Sequence, residues 1–173
     1  MAAAILANRL DSARFPLRAR SAGLRATGGP ADDLVEKVLT GRGFDYRSHD
    51  SVRATNEVID RAALVLVMER AHLLEIATTV PDSFAKTFGL TEIVALGNRH
   101  GARRKDEPLD QWLSRLCLDR SPATALRGRA EFDVEDPHAG PLSGYERCAD
   151  QLTRLIDELV ILLGAAGVSA PPR

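Results

Sequence analysis

The sequence predicts a three-layer α/β domain in which helices flank a small parallel sheet. The run Ala63-Leu64-Val65-Leu66-Val67 is apolar without a break, as expected of a strand buried on both faces of a parallel sheet. Segments of helical period precede and follow that run, at 31–40 and 69–78. Strand-like and helix-like segments alternate along the first half of the chain, the order that strand–helix–strand units require. A chain of 173 residues, 45% hydrophobic and 27% charged, has the length and apolar content for one core of this kind. We expect one domain over 1–165 and a flexible tail over 166–173.

Met1, Ile5, Leu6 and Leu10 have helical spacing with alanine between them, but no Ser, Thr, Asp or Asn stands ahead to cap the helix. Leu17, Ala19 and Ser21 alternate with Arg18 and Arg20, which predicts a short strand ending at Ser21-Ala22-Gly23. Gly28-Gly29-Pro30 is a turn. A helix over Ala31–Thr40 follows, with Leu34, Val35, Val38 and Leu39 on one face and Gly41 and Gly43 closing it. A short helix is expected over Thr55–Arg61, then the Ala63–Val67 strand and a helix over Glu69–Thr78. Lys86-Thr87-Phe88 reads as a last short strand, Leu90–Leu96 and Leu109–Leu118 as helices, and Ser121–Arg129 as loop. Ser143-Gly144-Tyr145-Glu146 fits a capping box. It opens the clearest helix, with Cys148, Leu152, Leu155, Ile156, Leu159 and Leu163 three or four residues apart.

Composition excludes several function classes. A net charge of −1 provides no global attraction to nucleic acid or to an anionic membrane, so neither is expected as a partner. Two cysteines and no short Cys or His spacings leave no disulfide framework and no metal site, and nothing implies a cofactor. The longest apolar stretch, Leu159–Val168, is far short of the ~20 residues that span a bilayer. Met1–Ala7 lacks the basic flank and length of a signal peptide. The expected location is the cytoplasm, with reduced thiols.

Few residues carry chemistry. Cys148 and Arg154 satisfy the C-x5-R spacing of cysteine phosphatases. That motif needs a loop whose amides curl around a phosphate, whereas these two residues lie within a helical period and about 120° apart around it. Cys117 has Ala123 where such an arginine would stand. Both thiols are expected in core packing. Asp136-Pro137 is the better candidate. Proline holds the residue before it extended, and a loop carboxylate ahead of a helix suits a general acid. Asp133, Glu135 and Asp136 together form an acidic cluster, and Arg99–Lys105 a basic run that reads as solvated loop.

Taken in order, these features resemble the low-molecular-weight protein-tyrosine phosphatase family along nearly the whole chain. The anchors are the M-A-A-A helix, Ser21-Ala22-Gly23, Gly43 with His49, Ala63–Glu69 with His72, and Asp136-Pro137 ahead of Tyr145. The resemblance implies a parallel sheet flanked by helices and cleavage of phosphotyrosine, in a protein or a small aryl phosphate, through a cysteinyl-phosphate. It implies that Asp136 is the general acid and later the base, and that Ser21 and His49 support the phosphate loop. His138 then stands where the family usually has an aromatic wall for the substrate ring. Val52 stands where the family often has arginine, and the stretch from Gly97 to Asp133 is longer than usual, as a lid or a lineage insertion would be. In the family the nucleophile loop C-x5-R directly precedes the helix that begins here at Met1. The resemblance therefore implies a chain truncated at its N-terminus, without the first, central strand, between Leu17–Ser21 and Ala63–Val67, and without the nucleophile. Such a chain is inactive as it stands. A noncatalytic pseudophosphatase or α/β binding module remains the alternative.

Overall fold

The computed structural model describes residues 1–25, 32–44, 52–118, 120–121 and 133–164. The expected turn at Gly28–Pro30, His49, most of the 121–129 loop and the tail lie outside them. The chain divides into two compact units, one of Met1–Ala54, Glu135–Ile161 and the C-terminal residues, the other of Thr55–Val134 with Leu162–Gly164.

Among its described residues the first unit is built on three helices. Helix α1 (Ala2–Ser12) buries Ile5 and Leu10, and no side chain caps its start. Helix α2 (Asp33–Gly41) begins two residues later than the periodicity suggests, because Asp32 is its cap and takes the Leu34 N–H at 2.9 Å. Gly43, at φ 75°, supplies the left-handed residue after its end. The long C-terminal helix buries Cys148, Leu152, Leu155, Ile156 and Leu159, the face that the spacing predicts. It spans Leu142–Leu162 and is α7 below. Ser143 lies inside its first turn rather than at the cap, and the Gly144 N–H reaches back to the Pro141 carbonyl at 2.8 Å. Arg9 ties α1 to α7 through Asp157 at 2.6 Å and lies over the Phe44 ring. Arg42 ties α2 to α7 through Asp150 and the Glu146 carbonyl.

The expected strand at Leu17–Ser21 does not form a ladder. Its side chains do alternate, with Leu17 and Ala19 half-buried and Arg18 and Arg20 exposed. Among the described residues this segment leads only to an isolated parallel bridge between Gly23 and Arg53. Period-two burial is a property of one extended segment, whereas a strand needs a partner backbone over several residues.

The second unit holds the sheet. Strands β1 (Val65–Val67) and β2 (Thr87–Gly89) pair in parallel, with Val65 opposite Thr87 and Val67 opposite Gly89. Helix α4 (Arg70–Thr79) and a 3₁₀ segment (Pro81–Lys86) make the crossover, and α3 (Asn56–Arg61) precedes β1 with Thr55 as its cap. Contrary to expectation, only Val67 of the Ala63–Val67 run is buried, while Ala63 is exposed and Leu64–Leu66 are half-buried. Among the described residues β1 pairs on one side only, so its apolar run is not enclosed as an inner strand would be.

Helix α5 (Leu90–His100) overruns the expected end at Leu96, because Gly97 is there for close packing rather than as a stop. A Cβ on Gly97 would lie 2.7 Å from a Leu162 methyl. Helix α6 (Leu109–Leu116) buries Trp112, Leu113 and Leu116. Its Arg115 bonds the His100 and Ala102 carbonyls and Glu107, so the basic run at 99–105 is anchored at its backbone. Among the described residues no helix is long and apolar enough to cross a membrane, and no group of His, Cys, Asp and Glu has metal-site geometry.

Candidate active site

The Asp136-Pro137 pair opens a tight turn that ends at Gly140. The Pro137 carbonyl accepts the Gly140 N–H at 2.9 Å, and Asp136 Oδ1 accepts the His138 N–H at 3.0 Å. Ala139 between them is left-handed, with φ 59°. The turn forms one wall of a cleft of about 280 Å³, lined also by Met1, Asp32, Val35 and Tyr145. Met1 is the N-cap of α1, so the positive end of that helix dipole opens at the cleft. Asp32 caps α2, and Tyr145 comes from the first turn of α7. The starts of three helices thus meet the acid-bearing turn.

Asp32 is the most constrained of these groups. Its Oδ2 accepts the Tyr145 hydroxyl at 2.6 Å, its Oδ1 accepts the Leu34 N–H, and His138 Nδ1 lies 4.0 Å from Oδ2. The Tyr145 bond first, and then the Leu34 N–H, hold its carboxyl below the usual carboxylate range, and the bond to Asp32 pushes the Tyr145 hydroxyl above its own. A carboxyl with a depressed pKa adds stability above its unfolded value of about 3.9, and that stability is lost as pH falls through the lower folded value. The melting temperatures of the protein and of Asp32→Asn are expected to differ by a constant amount above about pH 5 and to converge below about pH 4. Thermal melts across that range measure it.

Of the residues predicted from sequence, Asp136 and His138 line the cleft together. His138 is 78% exposed there, its ring beside Asp32. Ser21 is exposed and outside the lining residues, and His49 lies outside the described residues. Asp133, a neighbour in the acidic cluster, is committed elsewhere. Its Oδ1 accepts the Arg70 N–H at 2.9 Å and so caps α4. Cys148 is buried in α7, and burial pushes its thiol up, with Asp136 and Glu135 adding to the effect. Cys117, expected in the core, is only half-buried. Its thiol donates to the Ala85 carbonyl at 3.6 Å, and burial pushes its pKa up as well. Neither sulfur stands in a loop between a strand and a helix, and both are held toward the unreactive thiol.

Sequence reasoning missed Asp32 and Tyr145 as members of the cleft. The available signals were slight: Asp32 precedes a helical period as a cap does, and Tyr145 sits in the first turn of the most regular helix.

The model of the family described as low molecular weight phosphotyrosine protein phosphatase matches residues 1–111. A probable low molecular weight protein-tyrosine-phosphatase of Ralstonia nicotianae is 25% identical over 148 residues, covering 85% of this chain and 77% of that protein. A protein-arginine-phosphatase of Geobacillus stearothermophilus is 28% identical over 161 residues, covering 92% and 83%. Among solved structures, the low molecular weight protein tyrosine phosphatase of T. tengcongensis superposes with a TM-score of 0.69 at 25% identity, covering 92% of this chain and 87% of that one. With an α/β fold, a small parallel sheet and a family match over 111 of its 173 residues, the chain belongs to the low molecular weight phosphotyrosine protein phosphatase family.

Proposed function

We propose that the cleft beside Asp136 is the leaving-group side of a phosphomonoesterase site acting on phosphotyrosine in a protein or on a small aryl phosphate. We further propose that the 173 residues alone do not complete that site. The observation that carries this reading is the placement of Asp136. It lies on a proline-fixed turn, in a cleft that also opens on the uncapped start of α1. A carboxylic acid there protonates the phenol oxygen as the P–O bond breaks, and as carboxylate it then takes a proton from the attacking water. His138 lines the path of the ring. The carboxyls of Asp32 and Asp136 differ in their engagement: both oxygens of Asp32 accept hydrogen bonds, whereas Asp136 accepts the His138 N–H on Oδ1 alone among the described residues. The nucleophile is neither Cys117, which follows the last turn of α6 with its thiol on the Ala85 carbonyl, nor Cys148, buried within α7. Burial pushes both thiols up, and neither place gathers amides around a phosphate. Catalysis at this site needs a thiolate whose surrounding amides hold the phosphate, and neither Cys117 nor Cys148 supplies one. Reduced thiols and the lack of a net basic charge fit a cytoplasmic enzyme that binds neither nucleic acid nor membrane.

The purified 173-residue chain is expected to show no burst and no turnover with p-nitrophenyl phosphate. Stopped-flow and steady-state assays check this. Turnover that disappears in Cys148→Ser would overturn the assignment and make the helical C-x5-R pair the active one.

A further inference from the structure

We infer that Gly140 is a positioning residue for the acid-bearing turn, and that the geometry it imposes leaves Oδ2 of Asp136 to carry the proton for the leaving group. The inference rests on the reading of Asp136 as the general acid and deepens it.

One peptide unit links the two residues. The Pro137 carbonyl and the His138 N–H belong to the same planar group, so turning one end turns the other. Both ends are held. The Gly140 N–H donates to the Pro137 carbonyl at 2.9 Å, and the His138 N–H donates to Asp136 Oδ1 at 3.0 Å. The plane between them passes the position of Gly140 on to the carboxyl of Asp136.

Glycine is what lets the turn close. A Cβ at position 140 would lie 2.9 Å from the Pro137 carbonyl oxygen, the same atom that accepts the Gly140 N–H. That is closer than carbon and oxygen pack, and the neighbour is backbone, so it yields only if the peptide turns. The need is for space rather than for an unusual conformation. Gly140 is not left-handed, and the left-handed step of the turn falls to Ala139 at φ 59°.

The peptide in turn distinguishes the two acid oxygens. A carboxyl that accepts an N–H on one oxygen keeps its proton on the other, since the carbonyl oxygen accepts and the hydroxyl donates. Among the described residues Asp136 accepts a hydrogen bond on Oδ1 alone. The proton therefore sits on Oδ2, and the leaving oxygen takes it from there. Without the His138 bond the carboxyl turns about its last torsion, a broad and roughly two-fold one, and the oxygens exchange places.

The test uses the 173-residue chain and needs no turnover. In NMR titrations of the unmodified protein, the His138 amide proton is expected to shift in step with the Asp136 carboxyl carbon. In Gly140→Ala it should cease to follow, and its exchange with solvent should quicken by about tenfold, as the loss of one hydrogen bond gives. The amides of Ile156 and Leu159 in α7 should stay within about twofold, because their own bonds are untouched. Ala139→Gly is the adjacent control. Glycine takes the left-handed conformation freely and leaves the Pro137 oxygen clear, so the His138 amide should still follow Asp136. The carboxyls of Asp32 and Glu135, the Tyr145 hydroxyl and the His138 imidazole also titrate around this turn, and Asp136→Asn separates their effect from that of Asp136.

A glycine that merely fills a loop would leave the two signals coupled when replaced by alanine. Four results would overturn the proposal: no coupling in the unmodified protein, coupling that persists in Gly140→Ala, equal loss in Ala139→Gly, or equal quickening of the α7 amides. Failure of the acid reading is separate and shows as full kcat in Asp136→Asn of a chain that carries a C-x5-R loop, whatever the His138 amide does.

Discussion

Replacing Arg120 by methionine is expected to destabilise the protein by about 3–5 kcal/mol, the usual cost of breaking a buried ion pair from one side. The Arg120 side chain is only 2% exposed, and its guanidinium is fully engaged. Nε and Nη2 bond Glu92 at 2.7 and 3.2 Å, Nη1 bonds the Phe84 carbonyl at 2.8 Å, and Nη2 bonds the Thr87 carbonyl at 2.6 Å. The rings of Phe84 and Phe88 lie 4.1 and 4.2 Å from the guanidinium carbon. One side chain thus binds the 3₁₀ segment, the start of β2 and the first turn of α5. Methionine fills the slot between the rings but leaves a carboxylate and two carbonyls without their donor. Lysine should rescue little, because an ammonium cannot serve a bidentate partner and two carbonyls in one plane. Adding Glu92→Gln should recover part of the loss, since it removes the stranded charge and keeps the acceptor for the Gly89 N–H. At roughly 2–4 °C per kcal/mol for a chain of this size, Arg120→Met should melt about 10 °C lower. A loss below about 1 kcal/mol would show that these bonds are replaced by water at little cost.

Nothing in the sequence announced Arg120. It is one arginine among many, in a segment without helical or strand period, and its partners at Phe84, Thr87 and Glu92 belong to three other elements. The buried face of α7 was legible because hydrophobic spacing is local information. The start of α2 was less so, because the helical period reaches back to Ala31, past the Asp32 that caps the helix. The Leu17–Ser21 segment shows the opposite case. Its alternation was read correctly and its side chains obey it, yet a ladder depends on a neighbour that the segment itself does not encode. The end of α5 was not legible either, because Gly97 continues the helix and admits Leu162 of α7, which nothing local in the sequence shows. At the cleft, proline made Asp136 legible by restricting the residue before it. Tyr145 and Asp32 were not, since their meeting depends on how two helices pack.

Asp136→Asn should have the largest catalytic effect of any single change in the cleft. In a chain that carries a C-x5-R loop ahead of Met1, we expect kcat to fall by roughly 10²–10⁴, the usual contribution of a general acid, with substrate binding retained. The loss should grow as the leaving group worsens. Phenol needs a proton as it departs, whereas the p-nitrophenolate anion is stable enough to leave with little help, so phenyl phosphate should suffer more than its nitro analogue. Asp133→Asn is the control. That side chain caps α4, and asparagine keeps the acceptor for the Arg70 N–H, so the leaving-group dependence should not change. His138→Ala should act mainly on KM, because an exposed ring at the cleft wall meets the substrate equally in ground and transition states. A series of aryl phosphates of graded leaving-group pKa, run on the three variants, separates these roles. If Asp136→Asn kept its kcat on phenyl phosphate while Asp133→Asn lost it, the acid would be Asp133, and α4 would have to give up its cap for the reaction to proceed.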